Sequence, residues 1–169
     1  MENLSRTILY ELNKGNYRQG DINLYHFDNE KYNIGDTIIK HNNLTDIVKN
    51  TYKKYINLDA TKLIYMLSFI NDEYWESYKY CYEVDPESLT LVQMDYSPIM
   101  ADDFINITFK DIDKNQLEVK KVVDLFAKSY LGDVNAKEQL QKKYSYTISN
   151  KEEYVSDLPV KVLEIYEDK

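Results

Sequence analysis

The chain has 169 residues, with 21 Lys and Arg against 29 Asp and Glu for a formal charge of −8, and 43% of its residues are hydrophobic. That is enough apolar material for a packed core, and the acidic balance argues against a protein whose main work is gripping phosphate backbones. One cysteine, Cys81, excludes an internal disulfide framework and a cysteine-based zinc site, the two histidines supply a His-rich metal site poorly, and no apolar run approaches the length of a membrane span. The first residues lack a basic stretch followed by an apolar one, so the chain reads as cytoplasmic and not membrane-bound. Its oddity is 17 Tyr beside 4 Gly and 3 Pro. Part of that excess fits an AT-rich genome; the remainder makes tyrosine a core and groove residue whose hydroxyl can reach water or a ligand.

Leu4, Ile8, Leu9 and Leu12 have helical spacing closed by Gly15, which predicts an N-terminal helical extension over residues 1–20 ahead of a main domain over 21–169. Ile22 to Phe27 alternates like a short strand, and a second short strand is expected over Ile34–Ile39. Asn43 is placed to cap a helix carrying Leu44, Ile47, Val48, Tyr52 and Ile56 on one face. Leu63–Phe69 is a continuous apolar run of the length of a buried strand, and Asn71 opens a helix through Trp75 and Tyr78.

Tyr80–Val84 and Leu89–Tyr96 read as strands joined by Asp85-Pro86-Glu87-Ser88, good turn chemistry for a hairpin. Asn115–Leu131 is the clearest amphipathic helix, stopped by Gly132, and a short helix follows over Ala136–Lys143. Three strands close the pattern: Tyr144–Ile148, Glu152–Val155 and Val160–Ile165. The expectation is α+β, with strands at both ends and helices between them.

The residues alone offer no catalytic signature: there is no phosphate-binding glycine loop, no GxSxG elbow and no HExxH pair. Cys81 reads as a buried structural thiol, and His26 as a satisfied edge or core histidine pointing opposite to Tyr25 and Phe27. Tyr65 reads as core and Glu153 as a solvated carboxylate. Asp102 and Asp103 are sequence neighbours that share no face, which weakens a paired-carboxylate site.

The pieces nevertheless come in an informative order: Leu24-Tyr25-His26-Phe27 with Ile34-Gly35-Asp36-Thr37-Ile38, then Lys62-Leu63-Ile64-Tyr65-Met66, Tyr82-Glu83-Val84 with Leu91–Asp95, and finally Glu152-Glu153-Tyr154-Val155 before Val160–Ile165. That order resembles the split-sheet domain of ADP-ribosyltransferases of the His-Tyr-Glu type, and more narrowly a bacterial and phage family with that fold. The resemblance runs from Asn23 to Ile165. It implies a split mixed or antiparallel β-sheet core with flanking helices, and NAD⁺ as substrate.

By the same resemblance, His26 would hydrogen-bond the ribose beside nicotinamide, Tyr65 would stack on the nicotinamide ring, and Glu153 would stabilise the developing oxocarbenium ion, with Glu152 competing for that place. Tyr25 and Lys62 join His26 as NAD⁺-binding candidates, Lys62 standing where family members often carry arginine. The function implied is mono-ADP-ribosylation of a macromolecular target, a protein above all. The alternative is an inactive member of the fold, an acidic inhibitor that binds and blocks a host protein through its charge and its tyrosines.

Overall fold

The computed structural model describes residues 22–168, so the helical extension expected over residues 1–20 lies outside them. The chain builds two compact units from separated stretches: residues 42–61 and 92–152 form one, and residues 22–41, 62–91 and 153–168 the other.

The second unit is the β-rich one. Strands β1 (Leu24–Asp28), β2 (Thr37–Ile38), β4 (Tyr80–Pro86) and β7 (Val160–Glu167) make a sheet of order β1-β4-β7-β2. Strands β3 (Ile64–Met66), β5 (Thr90–Gln93) and β6 (Glu152–Ser156) make a smaller sheet of order β3-β6-β5. The pairings of β1 with β4, β2 with β7, β3 with β6 and β4 with β7 are all antiparallel. A single antiparallel bridge, Tyr25 to Leu67, links β1 to the chain just after β3, with N–H···O distances of 2.8 and 2.9 Å. The core of this unit gathers Leu24, Ile38, Ile64, Met66, Tyr82 and Val84 with Leu89, Val160 and Val162, all nearly sealed from solvent. Strand alternation along β1, β4 and β7 sends Leu24, Tyr82, Val84, Val160 and Val162 to one side.

The first unit is helical: α1 (Asp46–Tyr55), α2 (Pro98–Thr108), α3 (Leu117–Tyr130) and α4 (Val134–Tyr144). Helix α1 begins one turn-half later than Asn43 suggests. Thr45 is its N-cap, and both the Thr45 backbone N–H and its hydroxyl donate to Asp102 on α2, at 2.9 and 2.7 Å. That long-range tie fixes the boundary where a local cap would otherwise decide it, and gives Asp102 a structural task.

Helix α2 was not expected. Its apolar residues fall nearly all round the helix, with no clear stripe. Its start is nevertheless marked by Ser97, whose hydroxyl accepts from Met100 N–H at 3.3 Å, and by Pro98 at the first helical position. Helix α4 is capped by Asp133 accepting from Ala136 N–H at 3.0 Å, and ends at Ser145 in the left-handed region, φ 57. Glycine suits that position better than any residue with a Cβ. Ser145→Gly should raise stability by about 0.5–1 kcal/mol, read as a higher urea midpoint at unchanged slope; a lower midpoint would show that the serine contributes more than strain.

Three expectations are corrected. Strands β4 and β5 are not a hairpin: both edges of β4 are taken by β1 and β7, so β5 joins the other sheet. Residues 144–148 form no strand. The Tyr146 ring there lies 4.9 Å from Phe126 and 5.7 Å from Phe104, and its hydroxyl donates to the Asp95 carbonyl at 2.5 Å, so the apolar spacing reflects aromatic anchoring. The helix after Asn71 is a five-residue 3-10 turn, Asp72–Glu76, capped by the Asn71 side chain at 3.1 Å. It holds Tyr74 and Trp75 against Phe27, with ring centroids 5.0 and 5.1 Å apart.

The tyrosines divide as their chemistry requires. Tyr52, Tyr82, Tyr96 and Tyr130 are fully buried, and the hydroxyls of the first three are used where donors or acceptors need matching. Tyr52 donates to the Tyr96 carbonyl at 2.5 Å, and Tyr82 donates to the Glu30 carbonyl at 2.7 Å while accepting from Tyr32 N–H at 2.9 Å. Cys81, sealed within β4, has its thiol pushed up to about 12 by burial, as befits a packing residue and not a nucleophile.

Candidate functional site

Alternation along β1 turns Leu24, His26 and Asp28 to one side and Tyr25 and Phe27 to the other. Leu24 belongs to the core, and His26 lies opposite the core residue Tyr82 in the register, so the imidazole enters a dry environment and is 6% exposed. There it lies in a line of polar groups. Nδ1 is 2.8 Å from the Tyr65 backbone carbonyl, and Nε2 is 3.0 Å from Asp28 Oδ2. The Lys40 ammonium pairs with the same Asp28 oxygen, and Asp28 Oδ1 accepts from Glu30 N–H at 3.0 Å.

Burial pulls the Asp28 carboxyl upward, but the hydrogen bonds from His26, Lys40 and Glu30 N–H outweigh it and hold the group well below the ordinary carboxylate range. A carbonyl and a carboxylate can only accept, so both His26 contacts are made together only when both ring nitrogens carry hydrogen. His26 is thus a fixed link between β1 and the backbone of β3.

Tyr65 lies between Ile64 and Met66, which face the core, so its half-buried ring leaves the opposite side of β3. In the antiparallel pair, Tyr65 is opposite Val155. Glu153, two positions before Val155, therefore shares the side of the Tyr65 ring, as a diagonal cross-strand neighbour. Glu153 is 7% exposed, against the expectation of a solvated carboxylate, while Glu152 alternates to the other side.

The structure thus brings together the three strands that carry His26, Tyr65 and Glu153. It aligns Tyr65 with Glu153 by side-chain direction, and joins His26 to Tyr65 through the backbone, not ring to ring. Tyr25 points away from His26, its ring edge-on to Tyr166 with centroids 6.2 Å apart. Lys62 is exposed at the end of the 3-10 turn Ala60–Lys62 that leads into β3. No protein-family model matches this chain, and no curated protein or solved structure matches it either.

Sequence reasoning passed over Asp28 and Lys40, the partners that fix His26. Asp28 had a legible signal, two residues along the same strand and hence on the same side as His26. Lys40 had none, because its approach depends on the loop around β2. Among the described residues, no group of three or more His, Cys, Asp or Glu is arranged to hold a metal ion, and no helix is long and apolar enough to cross a membrane.

Proposed function

We propose that this protein is a cytoplasmic NAD⁺-dependent mono-ADP-ribosyltransferase acting on a macromolecular target, with Glu153 as its catalytic carboxylate. The observation that carries this reading is a buried glutamate on the same side of an antiparallel strand pair as a half-buried tyrosine ring. Cleavage of the bond between nicotinamide and ribose sends the bonding electron pair to the departing ring and leaves positive charge on the sugar. A carboxylate fixed beside that sugar stabilises the charge, and an aromatic face orients the leaving ring. A nucleophile of the target then bonds to the ribose carbon and gives up its proton.

In labelled-NAD⁺ assays with candidate targets, Glu153→Gln should reduce transfer and NAD⁺ hydrolysis by a factor of about 100 or more, while Glu152→Gln, which alternates to the other side, leaves them nearly unchanged. No turnover by the wild-type protein, or equal loss in both variants, overturns the reading.

One observation favours a second reading, a non-catalytic member of the fold that binds and blocks a protein partner. Both ring nitrogens of His26 are already engaged by protein atoms, leaving neither for a ribose. That reading predicts a stoichiometric partner with a basic surface, captured equally well by the wild type and by Glu153→Gln, with no NAD⁺ turnover by either.

A further inference from the structure

The helical unit carries a feature that the acidic total conceals. A groove of about 640 Å³ runs along α1, α3 and α4 and is lined by five lysines: Lys54, Lys120, Lys121, Lys128 and Lys143. Two acids also line it, and each is already matched. Asp124 accepts from the Tyr55 hydroxyl and pairs with Lys128 at 3.1 Å, while Asp46 pairs with Lys49 at 3.0 Å.

That leaves Lys54, Lys120, Lys121 and Lys143 without an ion pair among the described residues, all exposed and all facing one groove. The groove residues of α1 and of α3 follow the same spacing, at i, i+1, i+4, i+5 and i+8, so each helix contributes one continuous stripe about 12 Å long. Ile47 and Leu125 supply half-buried apolar surface between the charges, and Asn50 and Gln139 supply amides.

Four like charges converging in one groove, without an ion pair among the described residues, repel each other. An anion carrying several charges in a row removes that repulsion. Lysines act as point charges on flexible stems and suit a run of phosphates, whereas a single planar carboxylate is better matched by the guanidinium fork, which this groove lacks. The volume lies within the roughly 300–1,000 Å³ typical of small-ligand sites. The stripe length fits a linked row of phosphates with room for an attached ring on the apolar patch. We propose that this groove binds a small linear polyphosphate anion, of the size of a nucleoside triphosphate. The proposal is independent of Glu153 and of NAD⁺ chemistry.

The test is titration calorimetry of the full chain with inorganic tripolyphosphate and with ATP, both metal-free, at 50 and 200 mM salt. Binding of both, weakened by added salt, is expected; tighter binding of ATP than of tripolyphosphate assigns a share to Ile47 and Leu125, and equal binding assigns recognition to the phosphates alone. The double variant Lys54→Glu/Lys121→Glu should weaken binding at least tenfold. Lys110→Glu/Lys151→Glu, which changes net charge equally at exposed lysines outside the groove, should weaken it less than threefold, and Glu153→Gln should leave it unchanged. Absence of binding at millimolar ligand, equal weakening by both double variants, or much tighter binding of a single-stranded oligonucleotide overturns the proposal. Circular dichroism of each variant confirms that loss of binding is not loss of fold.

Discussion

Lys137→Met should destabilise the protein by about 3 kcal/mol, a large fraction of the roughly 5–15 kcal/mol that holds a domain together. Lys137 is 3% exposed on α4, and its ammonium reaches three oxygens: Gln93 Oε1 at 2.7 Å, the Ser149 carbonyl at 2.8 Å and Asn150 Oδ1 at 3.0 Å. The ammonium also lies 5.4 Å from the centroid of the Tyr96 ring. The side chain thus fastens the end of β5, helix α4 and the segment before β6 to one point within the helical unit.

Methionine keeps the length and apolar bulk of lysine but leaves the buried Gln93 amide oxygen without this donor, beside a half-buried carbonyl and an exposed Asn150 oxygen that water reaches more easily. An unmatched buried polar group costs more than the hydrogen bond that satisfied it contributes. Removing the ammonium also relieves its desolvation, so the loss is smaller than three charge-assisted bonds taken separately. Urea denaturation checks the value. Lys137→Met with Gln93→Leu should recover part of the loss, since the two groups share one network. A loss below 1 kcal/mol would show that water replaces the ammonium at little cost.

The second large effect concerns acid stability. An acid whose native pKa lies below its unfolded value contributes stability at pH above the unfolded pKa, and that contribution disappears as pH falls through the native one. Asp28 is such a group, held low by His26, Lys40 and Glu30 N–H against the upward pull of burial. Its contribution is therefore complete at neutral pH and declines from about pH 5 downward.

Asp28→Asn puts an amide where three donors converge: with its oxygen toward His26 and Lys40, which share one Asp28 oxygen, its NH2 meets Glu30 N–H, and in the flipped orientation it meets both His26 and Lys40. With the Asp28 side chain 12% exposed and that of Lys40 24%, the expected loss at pH 7 is about 2–3 kcal/mol, somewhat under that for breaking a fully buried pair. The difference between wild type and variant should begin to shrink below about pH 5 and go on shrinking below pH 3, since the native carboxyl still holds its charge there. A difference that stays constant from pH 7 to pH 3 would show that the carboxylate charge is not what matters.

Much of the architecture was legible because it obeys short-range rules. The alternation of Leu24–Phe27 and Val160–Ile165, the amphipathic stripe of α3 and the turn residues around Asn71 each mark an element without reference to the remainder of the chain. What escaped depends on distant groups. Nothing near Tyr80–Ser88 reveals that β1 and β7 occupy both edges of β4 and exclude a hairpin. Helix α2 hid its face among isoleucines and announced itself only through Ser97-Pro98.

The candidate site was legible as an order of motifs, and its side-chain directions follow from strand period once the register is known. The occupation of His26 was half legible, through Asp28. Lys137 could not be singled out at all, since a lysine on a short helix reads as solvated and its partners lie 12 to 44 positions away.

The placement of β7 bears on how the chain reaches this state. It lies between β4 and β2, and among the described residues β2 pairs with no other strand. Ile38 and Val84 are made early in synthesis yet must wait for Val160 and Val162 before their apolar surface is covered. A ribosome-bound chain that has emerged only as far as α4 holds one edge of β4 unpaired, together with a set of exposed core residues, which is the kind of surface that chaperones and neighbouring chains engage. Closure of this sheet therefore needs long-range pairing, and pairing of that kind slows folding in general even where individual strands are strong.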